Sequence, residues 1–137
     1  MFENVVVGVS DSDASSEAVD RAIAVARASG GVLHIVNAYY SNRMVSPDLP
    51  DELRYASIAT DPTDRILQRF RERARRAKVR VMTHPVLAAP ADALRRVAAD
   101  EHADLIVVGS KATHAKPFRA SVSNALVDAA PCAVLVV

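Results

Sequence analysis

The 137-residue chain has a single cysteine, Cys132. An internal disulfide is therefore impossible, and a reduced, cytoplasmic setting is the expected one. It also lacks a charge excess: Lys+Arg number 17 against 16 Asp+Glu. That balance removes any global reason to expect nucleic acid or an anionic membrane as partner. No apolar run approaches the roughly 18 residues that span a bilayer. The opening MFENVVVGVS has neither the basic start nor the long apolar run of a secretory signal. Walker A and Gly-x-Gly-x-x-Gly motifs are both missing. His34, His84, His102 and His114 show no metal-ligand spacing along the chain, so no metal is expected. Cys132 has no evident local base, and no nucleophile–base–oxyanion set can be assembled, so catalysis is not expected either.

Half of the residues are hydrophobic, enough for the core of one domain spanning residues 1–137. Five short apolar runs recur: Val5–Val9, Val32–Val36, Val79–Met82, Leu105–Val108 and Ala133–Val137. Most are continuous and β-branched, the pattern of strands buried on both faces of a parallel sheet. Val79–Met82 alternates more, as an edge strand does. Helical stripes separate the runs. Ala18, Ala22, Val25 and Ala26 form one, and Ile66, Leu67, Phe70, Ala74 and Ala77 another. Leu94, Val97 and Ala98 follow Pro90, which suits a first helical turn. Val122, Ala125, Leu126 and Ala129 form the last stripe. Strict alternation of strands and helices predicts an α/β fold, an open sheet with helices on both faces. Residues 39–62 interrupt the pattern; a short helix around Asp51–Tyr55 and a mobile lid are the alternatives to the partly ordered surface excursion expected there.

In such sheets ligands bind beyond the carboxyl ends of the strands, where strand order reverses. Two loops leave those ends with suggestive chemistry. Ser10-Asp11-Ser12-Asp13 follows strand one. After strand four, Gly109 to Arg119 leads into a helix that is expected to begin near Ser121. A helix N-terminus favours an anion, and Ser121, Ser123, Lys111, His114, Lys116 and Arg119 would add hydroxyls and positive charge. The plainer alternative is that Ser121 only caps the helix and the basic residues only keep the loop soluble. The run from Arg65 to Arg80 holds eight basic residues and one acid. Its core stripe and its lack of interleaved aromatics make it a solvated helix face rather than a nucleic-acid site. Asp11 and Asp13 are similar to the acidic pair of receiver domains, but strand three leads into Thr83-His84-Pro85 with no acid. The SDSDAS run lacks the glycines of the pyrophosphatase loop of adenylating enzymes.

The stretch DLIVVGSKATHAKPFRASVSNALVDAAPCAVLVV resembles the C-terminal signature of the universal stress protein family. VVVGVSDSDASSEAVDRA is similar to the family's opening strand and helix, and PVLAAPADALRRVAADEHADLIVVGS to its third helix and fourth strand. The resemblance implies a Rossmann-like sheet of the adenine nucleotide alpha hydrolase type, five parallel strands in the order 3-2-1-4-5. It also implies a homodimer, often paired through the last strand, an action by binding rather than catalysis, and possible protein partners. Its nucleotide crevice maps onto Gly8, Ser10 and Ala38 from the first two strands. From strand four onward it maps onto Val108, Gly109, Ala112, Ala120, Ser121, Val122 and Ser123.

This chain departs from the pattern at several of these positions. Ala112 and Ala120 stand where the family has glycines, with seven residues between them, a shorter loop than usual. Ser10 stands where an acid contacts ribose in ATP-binding members, and Asp11 follows. Alanine hinders positive φ and close backbone approach to phosphate, a strain on the order of 1 kcal/mol or more. Loss of a carboxylate removes a hydrogen bond worth roughly 1.5–3 kcal/mol. Residues 107–126 therefore read as a remodelled cradle, and the departures count against ATP binding of the family's usual kind. Two outputs stay open: protein contact with a degenerate crevice, or a sensor of ATP or cyclic AMP, the latter needing less room for phosphates. A slow ATPase is a weaker third.

Overall fold

A computed structural model describes residues 1–10, 12–39, 62–109 and 118–137; at 62, 63, 118–121 and 123 it describes the backbone alone. The sequence expectations for 40–61 and for the loop around Ala112 lie outside the described residues. Strand β1 (Asn4–Gly8) leads into helix α1 (Asp13–Ser29) and strand β2 (Val32–Tyr39). Helix α2 (Pro62–Arg76), strand β3 (Arg80–Leu87), helix α3 (Pro90–Asp100), strand β4 (Leu105–Val108), helix α4 (Phe118–Ala129) and strand β5 (Ala133–Val136) follow. The five strands form one parallel sheet in the order β3-β2-β1-β4-β5, as the resemblance implies.

The central strands are continuous apolar runs because each face is covered. Val5, Val7, Leu33, Ile35, Leu105 and Val107 pack with Ala18, Ala22 and Ala26 of α1 and with Leu67, Phe70 and Ala74 of α2. On the other face Val6, Val36, Ile106 and Val108 pack with Leu94, Val97 and Ala98 of α3 and with Leu126 of α4. Small alanines at the α1 contacts let that helix lie close to the sheet. Ser12 caps α1 by accepting from the Ser15 N–H, and Gly30 ends it at φ 68°, a left-handed conformation that glycine takes without steric strain. Pro90 sits in the first turn of α3.

Three expectations are corrected. β3 does not stop at Met82 but runs on to Leu87 through Pro85. It is an edge strand, and the missing proline N–H costs no ladder bond there. Helix α4 begins at Phe118, so Ser121 lies inside the helix rather than at its cap. Alanine at 120, where a family glycine would favour a break by about 1 kcal/mol, lets the helix extend. Ala129, assigned to the buried stripe of α4, is exposed. Among the described residues no helix is long and apolar enough to cross a membrane.

Candidate nucleotide crevice

β1 connects to α1 on one face of the sheet, and β4 connects to α4 on the other. Their neighbouring carboxyl ends therefore diverge and leave a crevice at the point where strand order reverses. Its floor is rigid. The Val9 N–H donates to the Val36 carbonyl at 2.9 Å, and the buried Asn37 side chain donates to the Val9 carbonyl at 2.8 Å. That amide ties the end of β2 to the exit of β1.

Beyond Val9 the chain turns on a cluster of hydroxyls. The Ser10 N–H donates to Ser15 Oγ at 2.7 Å. Ser10 Oγ lies 3.2 Å from both Ser12 Oγ and Ser15 Oγ, and Ser12 Oγ donates to Ser15 Oγ at 3.3 Å. Ser10 thus joins a neutral network built by the first turn of α1, where the resemblance implies a carboxylate. Such a turn can donate to or accept from a ligand hydroxyl but brings no charge. Asp11, which follows, lies outside the described residues.

Gly109 closes the other wall. A Cβ there would stand 2.9 Å from the Ala14 carbonyl oxygen and 3.0 Å from its Cβ. The glycine is needed so that the end of β4 can pass the first turn of α1. Its φ is not positive, since Gly30 is the described glycine that has that conformation. Gly8 is also closely approached, by Leu94 Cδ1 at 3.1 Å from a notional Cβ. Val108 is buried, and Ala38 and Val122 pack at the edge of the α3–α4 core. The fold therefore gathers Gly8, Ser10, Val108 and Gly109 around the switch point. Ala120, Ser121 and Ser123 are described in backbone only, within α4, and Ala112 is outside the described residues.

A second group of polar side chains escapes sequence reasoning altogether. His34, buried in β2, has Nδ1 3.0 Å from His84 Nε2 on β3 and Nε2 3.0 Å from Asn4 Oδ1 on β1. The Glu101 carboxylate joins them from the end of α3, with the three potential ligand atoms within 4.8 Å of one another. Burial holds the His34 imidazole below the usual histidine range; His84 lowers it further and Glu101 partly opposes this. Burial likewise lowers His84, again against Glu101. The residues are far apart in sequence and come from three elements, so no spacing could reveal them. An open concavity along α2, lined by Asp64, Arg65, Gln68, Arg69 and Glu72, comes from successive turns of one helix and stands apart from both groups.

The profile of the Universal stress protein family matches residues 1–137. A universal stress protein of Mycobacterium tuberculosis is 39% identical over 113 residues, which cover 80% of this chain and 76% of the relative. A universal stress protein solved in complex with cAMP superposes with a TM-score of 0.76 at 33% identity, covering 99% of this chain and 96% of its own. A universal stress protein of Lactobacillus plantarum superposes at 0.77 with 26% identity, covering 99% and 97%. Sheet order, switch-point crevice and full-length match agree, and the chain belongs to the universal stress protein family.

Proposed function

We propose that this universal stress protein acts by binding rather than by catalysis, and that its switch-point crevice senses a cyclic adenine nucleotide in preference to ATP. The observation that carries the proposal is the likeness, over 99% of the chain at 33% identity, to a family member solved with cAMP. The local chemistry supports the same choice. A cyclic monophosphate carries one negative charge and a compact phosphate, so it needs neither a long glycine loop nor a bound cation. Alanines at 112 and 120 and the neutral Ser10–Ser12–Ser15 network fit that smaller demand better than they fit a triphosphate with a carboxylate on its ribose. Gly8, Ser10, Ala38, Val108 and Gly109 would form the floor, and Ala112, Ala120, Ser121, Val122 and Ser123 the phosphate side. A homodimer paired through β5 belongs to the same proposal, because Leu135 and Val136 leave an apolar edge exposed.

Calorimetric titration of the nucleotide-stripped protein tests the ligand. Cyclic AMP should bind with a low-micromolar Kd, and ATP with magnesium at least about tenfold more weakly, roughly 1.4 kcal/mol. Ser121→Ala should weaken binding while leaving the melting temperature nearly unchanged. Failure of both nucleotides up to millimolar concentration would overturn the sensor reading and leave protein contact as the output.

A further inference from the structure

We propose that His34, His84 and Glu101 form a binding site for a divalent transition cation of the zinc class, at the junction of β2, β3 and the end of α3. The site lies on the α3–α4 side of the sheet, toward the amino ends of the strands and away from the nucleotide crevice.

The register creates it. In the parallel β2–β3 pair His34 faces Met82 and Val36 faces His84. Paired residues share a face, so the two imidazoles stand diagonally on the same side. Helix α3 packs on that side, and Glu101 follows directly after its last residue, Asp100. One buried and two half-buried groups meet there.

The proton positions suit a cation. Asn4 Oδ1 is an acceptor, so the His34 proton sits on Nε2 and donates to it. His34 Nδ1 is left as a lone pair directed at His84. Metal-bound histidines characteristically donate their other ring N–H to such an oxygen, which fixes tautomer and ring orientation. Asn4 is itself anchored: its N–H donates to Asp104 Oδ2 at 3.0 Å, and its carbonyl accepts from the Asp104 N–H at 2.8 Å.

The distances suit it as well. Zinc–nitrogen bonds of about 2.0–2.1 Å at tetrahedral angles place two ligand nitrogens roughly 3.3–3.4 Å apart. The imidazole nitrogens stand 3.0 Å apart and the Glu101 carboxylate lies within 4.8 Å of them, so opening of the imidazoles by a few tenths of an ångström and an inward swing of the half-buried carboxylate by about 1 Å admit an ion. Without it, a single N–H···N bond from His84 spans the same gap. Two imidazoles and a carboxylate make a three-ligand set with one position left open, the arrangement of exchangeable rather than closed structural sites. Imidazole ligands select zinc-like ions over magnesium or calcium. The half-buried His84 and Glu101 give the entry path.

The test is titration of chelator-treated, full-length protein with Zn2+ by calorimetry and with Co2+ by visible absorption. One equivalent should bind with a micromolar or tighter Kd. The Co2+ adduct should show ligand-field bands of low coordination number. His84→Ala and Glu101→Gln should each weaken Zn2+ binding more than tenfold, and Asn4→Ala by about 10–100-fold through loss of orientation. Cys132→Ser and His102→Ala should bind as the parent does. If His84→Ala lowers the melting temperature of the metal-free protein, the half-exposed Glu101→Gln decides. Absence of a one-equivalent site in the parent, or unchanged Zn2+ affinity in Glu101→Gln, would overturn the proposal.

Discussion

At Gly109 a hydrogen is all that fits. An added methyl would meet the backbone carbonyl of Ala14, which cannot swing aside as a flexible side chain can. Gly109→Ala should therefore destabilise the protein by about 1–3 kcal/mol, the usual range for overpacking. Gly8→Ala meets the side-chain methyls of the buried Leu94, at 3.1 and 3.2 Å, rather than backbone and should be milder. Urea unfolding separates the two: a lower midpoint at constant m for Gly109→Ala is the expected result, and parity between the variants would show that α1 can retreat. Cys132 makes a second residue-scale statement. Burial pushes its thiol up, and the Asp104 carboxylate pushes it further. A raised pKa leaves less thiolate at a given pH, and thiolate is the reactive form. Iodoacetamide should label native Cys132 several-fold more slowly at pH 8 than the urea-unfolded chain, with the gap narrowing as pH rises. Equal rates at pH 8 would contradict the environment described.

At the scale of elements, the basic stretch of α2 is mostly the solvated face that its sequence suggests, but Arg69 lies 4.7 Å from the Phe70 ring centroid and Arg73 also reaches the neighbouring helix. Arg73 donates to Ser16 Oγ at 2.8 Å and pairs with Asp20 at 3.2 Å, and its guanidinium lies 5.2 Å from the Phe70 ring centroid. It fastens α2 to α1 over the core. Asp20 is 66% exposed, so that ion pair is strongly screened and Asp20→Asn should change stability by less than about 0.5 kcal/mol. Arg73→Ala should cost about 1 kcal/mol or more, because it also removes the hydrogen bond to Ser16 and part of the cover over Phe70, which Arg69 shares. Equal effects in a denaturant series would mean that the ion pair, not the serine contact, carries the link. The helices were legible in sequence wherever one stripe faces one sheet, as with Leu94, Val97 and Ala98. Boundaries were less so. Ala120 reads as a loop residue by resemblance but as a helix former by propensity, and propensity prevails. Pro85 reads as a strand breaker, and only its edge position makes it harmless.

At the scale of the molecule, the sheet order followed from the resemblance, and the fold class from runs such as Val5–Val7 and Leu105–Val108, buried on both faces. Of the candidate site, its place at the switch point was legible. The Ser10–Ser12–Ser15 network was not, because mutual hydroxyl contacts depend on the turn, nor was the His34–His84–Glu101 group, which only the strand register assembles. The same topology leaves a consequence for assembly. β5 closes one side of the sheet with β4 as its single described neighbour. It is four residues long, about 13 Å. A stable interface typically buries 1,200–2,000 Å² in total, roughly 800 Å² per partner. Paired β5 edges alone are too small for that, so a dimer joined there would need neighbouring side chains to contribute. Leu135 and Val136 point to opposite faces of the strand, and Val127 on α4 is 62% exposed. These three apolar side chains would flank a β5–β5 pairing on both sides of a continued sheet. Sedimentation velocity at micromolar concentration should find the parent as a dimer, Leu135→Glu and Val136→Glu as monomers, and Val127→Glu as a weakened dimer. All three variants should keep the parent's circular dichroism spectrum, since none of these side chains is buried within one chain. A monomeric parent would remove the homodimer; a dimer indifferent to all three substitutions would place its interface elsewhere.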